Sequence, residues 1–278
     1  MDKFQVIRPS GLLAPYVKQY WFVTMENVVR GCQRLVPFGY PTLGFYRRPG
    51  SYSSLQNDYL PAAHLYGITT NHTNLIFSGN IDFICIVFQP ASTGAFFNMP
   101  LNEPDNTYIS IDSLHDPGWE ELGRQLNDIA DNLTCVGLIE QFLCRRIRDF
   151  NQYNNKRLRA VINSIEKGEA DVNRLAETAC LGYKQFKRIF RENIGINPKK
   201  FIQIVRFQRF HRFLQLRTNK SLTQLAYECG YCDKSHLIKE VKNLSGFTPT
   251  RLFEACDPVY SDYHALFRSA FVDLPSGE

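Results

Sequence analysis

The stretch Leu175-Ala176-Glu177-Thr178-Ala179-Cys180-Leu181-Gly182, continuing through Phe186-Lys187-Arg188-Ile189-Phe190 to Gly195-Ile196-Asn197-Pro198, has a second copy further along the chain. Leu175-Ala176 recurs fifty residues later as Leu225-Ala226, and Phe186, Arg188, Gly195 and Pro198 recur fifty-one residues later as Leu237, Lys239, Gly246 and Pro249. The growing offset places one extra residue in the second turn, and a repeat of this kind constrains architecture before any single motif does. Each copy reads as a short helix, a tight turn and a second helix. Val172, Leu175, Ala176 and Ala179 make one apolar face, Leu181-Gly182 the turn, and Phe186, Ile189 and Phe190 the next face. In the second copy Ser221 and Gln224 have capping-box spacing, Leu222, Leu225 and Ala226 form the face, and Gly230 permits the turn. Leu237, Ile238 and Val241 carry the buried side of the last helix.

Both copies end on a glycine, then an Asn or Thr cap with proline at the first helical position: Gly195-Ile196-Asn197-Pro198 and Gly246-Phe247-Thr248-Pro249. The helix opening at Pro198 is predicted to run to about Arg217, ~30 Å at 1.5 Å per residue, close to the ~34 Å of one turn of B-DNA. A rod of that length suits two recognition helices in successive major grooves.

Charge separates along the chain. Residues 156–256 hold 20 basic and 9 acidic side chains, a net +11, whereas residues 1–155 and 257–278 are each at −3, within a whole-chain charge of +5. A basic block of this kind predicts a polyanionic partner.

These linked features resemble the AraC/XylS transcription regulators over Val172 to Leu252. The resemblance is carried by Leu175-Ala176, Phe186-Lys187-Arg188-Ile189-Phe190, Gly195-Ile196-Asn197-Pro198, Arg206, Leu225-Ala226, Gly230-Tyr231, Ser235, Gly246 and Pro249. It implies a sequence-specific DNA-binding regulator with tandem helix-turn-helix units, whose expected partners are double-stranded DNA, RNA polymerase, a small-molecule effector and a second copy of the chain. Departures are Gly182 where the family usually has a serine cap, Phe210 where a small alanine is common, and Leu237 and Val241 in place of the usual aromatics. Arg206, which the family also fills with arginine, is expected to act structurally.

With the second helix of each unit as groove reader, the DNA-facing side chains are Tyr183, Lys184, Gln185, Lys187, Arg188 and Arg191, then Asp233, Lys234, Ser235, His236, Lys239 and Lys242. Lys184, Gln185, Arg188, Lys234, Ser235 and His236 are expected at base edges, and Lys187, Arg191, Lys239, Lys242 and Arg251 at phosphates.

The first hundred residues read as β-rich, with strands at Gln19 to Thr24, Thr42 to Tyr46, Asn74 to Phe77 and Ile81 to Phe88. Turns are expected at Phe38-Gly39-Tyr40-Pro41, Arg48-Pro49-Gly50-Ser51 and Ser78-Gly79-Asn80. From Gly118 the period becomes 3.6, giving two amphipathic helices. Tyr16 to Phe22, Val36-Pro37-Phe38-Gly39 and Gly94 to Pro100 are similar to the cupin-like barrels attached to some AraC-type regulators, which implies a sensing or dimerising role. Tyr20, Trp21, Phe45, Tyr46, Tyr66 and Phe88 are the candidate ligand-lining residues.

The expected fold is therefore α+β in two domains: 1–150 for sensing and dimerisation (barrel-like 1–115, helices 118–150), a linker at 151–156, a DNA-binding domain at 157–256 and a tail at 257–278. The alternatives are an interaction module, a DNA-binding chain whose amino-terminal half only dimerises and binds no ligand, and an enzyme. A metal cupin needs clustered ligands, but His64, His72 and His115 are isolated. A cysteine alkyl-transfer repair protein would rest on Cys32, whose context does not resemble such a site. Cys229-Gly230-Tyr231-Cys232 supplies two metal ligands where zinc needs about four. No enzyme, metal or cofactor is expected. Without a basic segment followed by an apolar one, the eight cysteines are expected reduced and the chain cytoplasmic, with no membrane partner.

Overall fold

The computed structural model describes residues 3–47, 52–55, 58–97, 108–147, 152–216, 219–255 and 271–273. The strands are β1 (Lys3–Ile7), β2 (Val17–Leu35), β3 (Thr42–Tyr46), β4 (Tyr52–Leu55), β5 (Asp58–Tyr59), β6 (Ala63–Tyr66), β7 (Thr73–Phe88), β8 (Tyr108–Ser110) and β9 (Phe271–Asp273). The helices are α1 (Pro117–Asn127), α2 (Asn132–Arg146), α3 (Gln152–Glu166), α4 (Val172–Thr178), α5 (Tyr183–Ile194), α6 (Pro198–Gln215), α7 (Leu222–Glu228), α8 (Lys234–Ser245) and α9 (Pro249–Ala255). The described strands form one sheet in the order β1-β2-β7-β3-β6-β8, with β4, β5 and β9 paired off that path. The fold is the expected α+β, a sheet domain followed by helices.

The chain divides into two compact units: Met1–Gly31, Tyr40–Gly67 and Ile76–Gln152 form the first, and Cys32–Gly39, Ile68–Leu75 and Tyr153–Glu278 the second. In the first unit, Leu43, Phe45, Leu65, Ile84, Ile86 and Phe88 alternate onto one face of the sheet and bury against Trp119, Leu122, Leu126, Ile139 and Leu143 of α1 and α2. Period 2 meets period 3.6 there, and each amphipathic surface covers the other. Arg47 is buried at the edge of this core. Its guanidinium donates to Asp82 Oδ1 (2.8 Å), the Ile129 carbonyl (3.0 Å) and Asn132 Oδ1 (3.3 Å). One side chain thus ties β3 to β7 and to the α1–α2 connection, and these partners make its burial tolerable.

Two local expectations are corrected. The turn expected at Ser78-Gly79-Asn80 lies inside β7, which runs unbroken through Thr73–Phe88. Gly79 takes a positive φ of 86°, and on the facing strand Asn27 takes 55° while its N–H donates to Asn80 Oδ1 at 2.8 Å. Glycine here bends a paired strand instead of reversing the chain. The stretch 151–156, expected as a linker, is helical from Gln152 onward. Its polar residues form the first turn of α3, whose following Leu158, Val161, Ile162 and Ile165 are buried. Arg48-Pro49-Gly50-Ser51 and most of the tail lie outside the described residues.

His64 sits on the second face of the sheet, opposite Gly44 and Ser110 in register. Burial holds its imidazole down to about 4 from an ordinary 6.5, against an opposing hydrogen bond to the Pro61 carbonyl. The unfolded chain binds this proton below 6.5 and the folded chain only below about 4. The contribution of the neutral ring is therefore complete above the higher value and drains away as pH falls towards the lower. Chemical denaturation at about pH 7 and about pH 4.5 should show a loss of about 2.5 kcal/mol from this group, absent in His64→Gln.

Candidate nucleic-acid interface

In the second unit the two copies build the same local structure from local rules. Asp171 caps α4 by accepting from Asn173 N–H, and Ser221 caps α7 with Gln224 in a complete capping box. Both short helices end alike. Leu181 N–H donates to the Ala176 carbonyl at 3.0 Å, and Tyr231 N–H to the Ala226 carbonyl at 2.8 Å. Cys180 and Gly230 hold the left-handed positions, with φ of 53° and 85°. This is the six-to-one closure that glycine favours. The next helix is capped at Gly182 in the first copy and at Asp233 in the second. The extra residue of the repeat therefore lies inside the second turn, as the offsets predict.

Phe186, Ile189, Phe190 and Ile194 of α5 are buried, as are Leu237, Val241 and Leu244 of α8. Opposite these faces, Tyr183, Lys184, Gln185, Lys187, Arg188 and Arg191 are all exposed, and so are Asp233, Lys234, Ser235, Lys239, Lys242 and Arg251. The structure thus brings twelve of the thirteen candidate residues to solvent. Several have neighbours that qualify their roles. Arg188 forms an exposed ion pair with Glu192 one turn on (3.0 Å), an arrangement weak enough to yield to a phosphate or a base. Asp233 accepts from His236 N–H at 2.8 Å and so serves as the α8 cap. His236 is only half-exposed. Its Nδ1 accepts from Cys232 N–H at 3.5 Å, its Nε2 lies 3.6 Å from Glu240, and the Tyr231 ring meets it edge-on. Arg251 lies over the Phe247 ring at 4.8 Å.

Glu240 is a site residue that periodicity missed, although a charge between apolar Leu237, Val241 and Leu244 was the signal. It is buried and accepts from Arg206 Nε at 2.9 Å and from Arg206 Nη2. Arg206 also donates to the Gly230 carbonyl at 3.2 Å and lies over Tyr231. Burial opposes the Arg206 charge, but hydrogen bonding and the charge of Glu240 outweigh it and raise the guanidinium further. Removing one member of such a pair strands the other in a dry site. Arg206 therefore ties α6 to both the turn and the body of α8, the structural role expected of it. Cys229 is buried in the same cluster, and burial pushes its thiol up to about 12, as for a packing residue. Among the described residues no group of three His, Cys, Asp or Glu could hold a metal ion.

The six aromatic candidates of the first unit fall on two faces. Tyr20, Phe45 and Phe88 belong to the sheet–helix core, with the Tyr20 hydroxyl donating to Glu140 at 3.3 Å. Trp21 alternates away from Tyr20 and Phe22. Tyr46 and Tyr66 alternate away from Phe45 and Leu65, onto the face of His64. There the Tyr46 ring lies 4.7 Å from Phe83 and 6.0 Å from His64. A Cβ on Gly44 would stand 2.5 Å from the Phe83 ring, so only glycine admits that ring against the backbone.

Two family models match. Residues 5–110 match a domain of unknown function, and residues 175–255 match a helix-turn-helix domain. The chain is 32% identical over 117 residues to an uncharacterized HTH-type transcriptional regulator of Haemophilus influenzae, covering 41% of this chain and 37% of that one. It is 27% identical over 155 residues to the probable transcriptional regulator LumQ of Photobacterium leiognathi, covering 52% and 62%. To the arabinose operon regulatory protein of Escherichia coli it is 21% identical over 192 residues, covering 64% and 65%. The matches span less than two thirds of the length of each of these relatives. Among the described residues no helix is long and apolar enough to cross a membrane.

The Cys180–Gly230 equivalence predicts a stabilising substitution. Cys180→Gly relieves a side chain held at positive φ and should raise stability by up to about 1 kcal/mol, while Gly230→Ala should lower it by at least as much. Thermal unfolding of the full chain measures both.

Proposed function

We propose that this chain, whose carboxy-terminal part is a helix-turn-helix domain of the AraC/XylS type, is a sequence-specific DNA-binding regulator of transcription that reads two successive major grooves with α5 and α8. The observation that carries this reading is the repeat itself: two helices of matching construction, each with a sealed apolar side and an exposed polar side, carrying Lys, Arg and Gln on α5 and Lys and Ser on α8. They are joined through α6, whose 18 residues span about 27 Å. Lys184, Gln185, Lys234 and Ser235 lie near the amino-terminal ends of their helices, where side chains reach base edges, and Arg188 follows Lys184 one turn further along the same face of α5. His236 belongs to this group with its ring braced by Glu240 and Tyr231. Lys187, Arg191, Lys239, Lys242 and Arg251 lie where phosphates would pass. The names of the relatives, all transcriptional regulators, support the same reading and argue against an enzyme.

The sheet unit is the sensing or dimerising part. Of its two faces, the one carrying Trp21, Tyr46 and Tyr66 is the better place for a small-molecule effector, since Tyr20, Phe45 and Phe88 are spent on the helix core. Burial pushes the Tyr66 hydroxyl up to about 12 and keeps the nearby His64 neutral, so an uncharged ligand suits this face. A second copy of the chain and RNA polymerase are the remaining partners.

The test is DNA capture by the full chain from a random duplex pool, followed by affinity measurements on the recovered sequence. With the five phosphate-facing cations engaged, affinity should fall roughly a few hundredfold between about 50 and about 200 mM salt. Lys239→Ala should weaken all sequences alike and flatten the salt slope by about 1, whereas Gln185→Ala should relax preference at one base pair by about 1–3 kcal/mol. Affinity indifferent to salt would remove the proposal.

A further inference from the structure

The second compact unit is not one continuous stretch of chain. It contains Cys32–Gly39 and Ile68–Leu75 as well as everything from Tyr153. The first segment carries the end of β2 and the loop after it, and the second leads into β7. Both strands have their remaining length in the sheet unit.

These segments are built into the second helix-turn-helix. Val36 is 1% exposed and belongs to the same core cluster as Phe207, Phe210, Leu225, Leu237, Val241 and Phe247. A valine that fills part of a helical core is a component of it. The backbone follows suit, with Gln208 Nε2 donating to the Pro37 carbonyl at 2.6 Å. A Cβ on Gly39 would lie 3.5 Å from Ile204 of α6.

The remaining contacts converge on the carboxy-terminal end of α8. Arg34 lies over the Phe247 ring at 4.2 Å, donates to the Ser245 carbonyl at 3.4 Å, and donates through Nε to Asn74 at 3.0 Å. It thereby links the two segments to each other and to the helix end. Gly246, the left-handed cap of α8, has His72 and Arg34 so close that a Cβ there would stand 2.6 Å from His72 Nε2 and 2.8 Å from Arg34 Nη1. Ser245 is sealed beneath, its hydroxyl donating to the Val241 carbonyl at 2.7 Å and accepting from Phe247 N–H at 3.1 Å. A helix is a stiff rod, so holding its last turn restrains the direction of its first.

We propose that Arg34, Val36 and His72 are positioning residues for DNA recognition: the ends of β2 and β7 form a two-segment finger that completes the second helix-turn-helix and sets the aim of α8. The proposal rests on α8 being a groove reader. It adds that the reader is assembled from three separated parts of the chain. Val36 lies in the core of the second helix-turn-helix, and Arg34 and His72 meet the end of α8, so the two readers differ in what restrains them.

The test uses the full chain with Arg34→Ala, Arg34→Lys and, as control on the exposed part of β2, Arg30→Ala. Amide hydrogen exchange over residues 240–252 should quicken at least tenfold in Arg34→Ala, with 186–195 unchanged. Arg34→Lys should restore part of the protection and Arg30→Ala should change neither. Selection from a random duplex pool should then show base preference degraded in one half of the recovered site and intact in the other. Unchanged exchange over 240–252, or base preference lost evenly across the whole site, overturns the finger. Failure of the wild-type chain to capture any duplex would sink the DNA-binding reading instead, and the exchange experiment still decides whether the finger restrains α8. If Arg34→Ala unfolds as a whole, the comparison of Arg34→Lys with Arg30→Ala carries the same two outcomes.

Discussion

One helix has to be buried in two cores at once. The amino-terminal part of α6 supplies Phe201, whose ring lies 5.8 Å from Phe190 of the first helix-turn-helix. Its carboxy-terminal part supplies Phe207, Phe210 and Leu214 to the cluster of the second. A helix with these demands cannot keep the single apolar stripe of an ordinary surface helix. It explains why Phe210, fully buried, stands where a small residue is more usual: the space belongs to the second core. Three polar members of α6 tie it to other parts of the chain by hydrogen bonds. Arg206 reaches Glu240 and the Gly230 carbonyl, Gln208 reaches Pro37, and Arg209 reaches the Glu166 carbonyl at 3.1 Å. With α5 and α8 packed on one rod, their mutual placement follows from side-chain packing rather than from a flexible connection.

The two units repeat in outline and differ in how firmly each reader is held. The first reader starts at Gly182 with no side-chain cap, after a turn that keeps Cys180 in a left-handed conformation. The second starts at Asp233, which supplies a cap, after a turn through Gly230. Caps and unstrained turns are each worth about 1 kcal/mol. The second reader also carries the buried Arg206–Glu240 pair and its bracing of His236. A duplicated motif has thus diverged into a lightly held helix, α5, and a firmly held one, α8.

Much of the second unit was legible because its determinants are local. Caps, left-handed glycines and the spacing of apolar residues act within a few positions, so the repeat, the one-residue slip and the exposed faces of α5 and α8 all follow from reading along the chain. Where residues have two local uses the reading fails. Gly79 suits a reversal and a bulge equally, and only the partner strand at Asn27 decides between them. Gln152 to Lys156 are as acceptable in the first turn of a helix as in a linker, and the apolar residues that settle it come later, at Leu158 and Val161. In the sheet, alternation placed aromatic residues in strands, but which face each served depended on α1 and α2, which come later in the chain.

The placement of Cys32–Gly39 was beyond any local signal, and the reason is physical. Val36 in isolation is a β-branched residue at the end of a strand, indistinguishable from its neighbours in the sheet. What makes it part of a helical core is a set of contacts with residues between 207 and 252, separated from it by the whole of the sheet unit. Such contacts carry a large loop-closure cost, so they persist only where several act together. Here they do: an apolar plug, a stacked guanidinium, a carbonyl accepted by Gln208 and a histidine against the helix cap. A boundary drawn between residues 150 and 157 would leave the second compact unit without Cys32–Gly39 and Ile68–Leu75. The basic block defined by charge supplies the exposed cationic faces of α5 and α8, while part of the structure holding α8 in position comes from a segment whose charge and periodicity belong to the sheet.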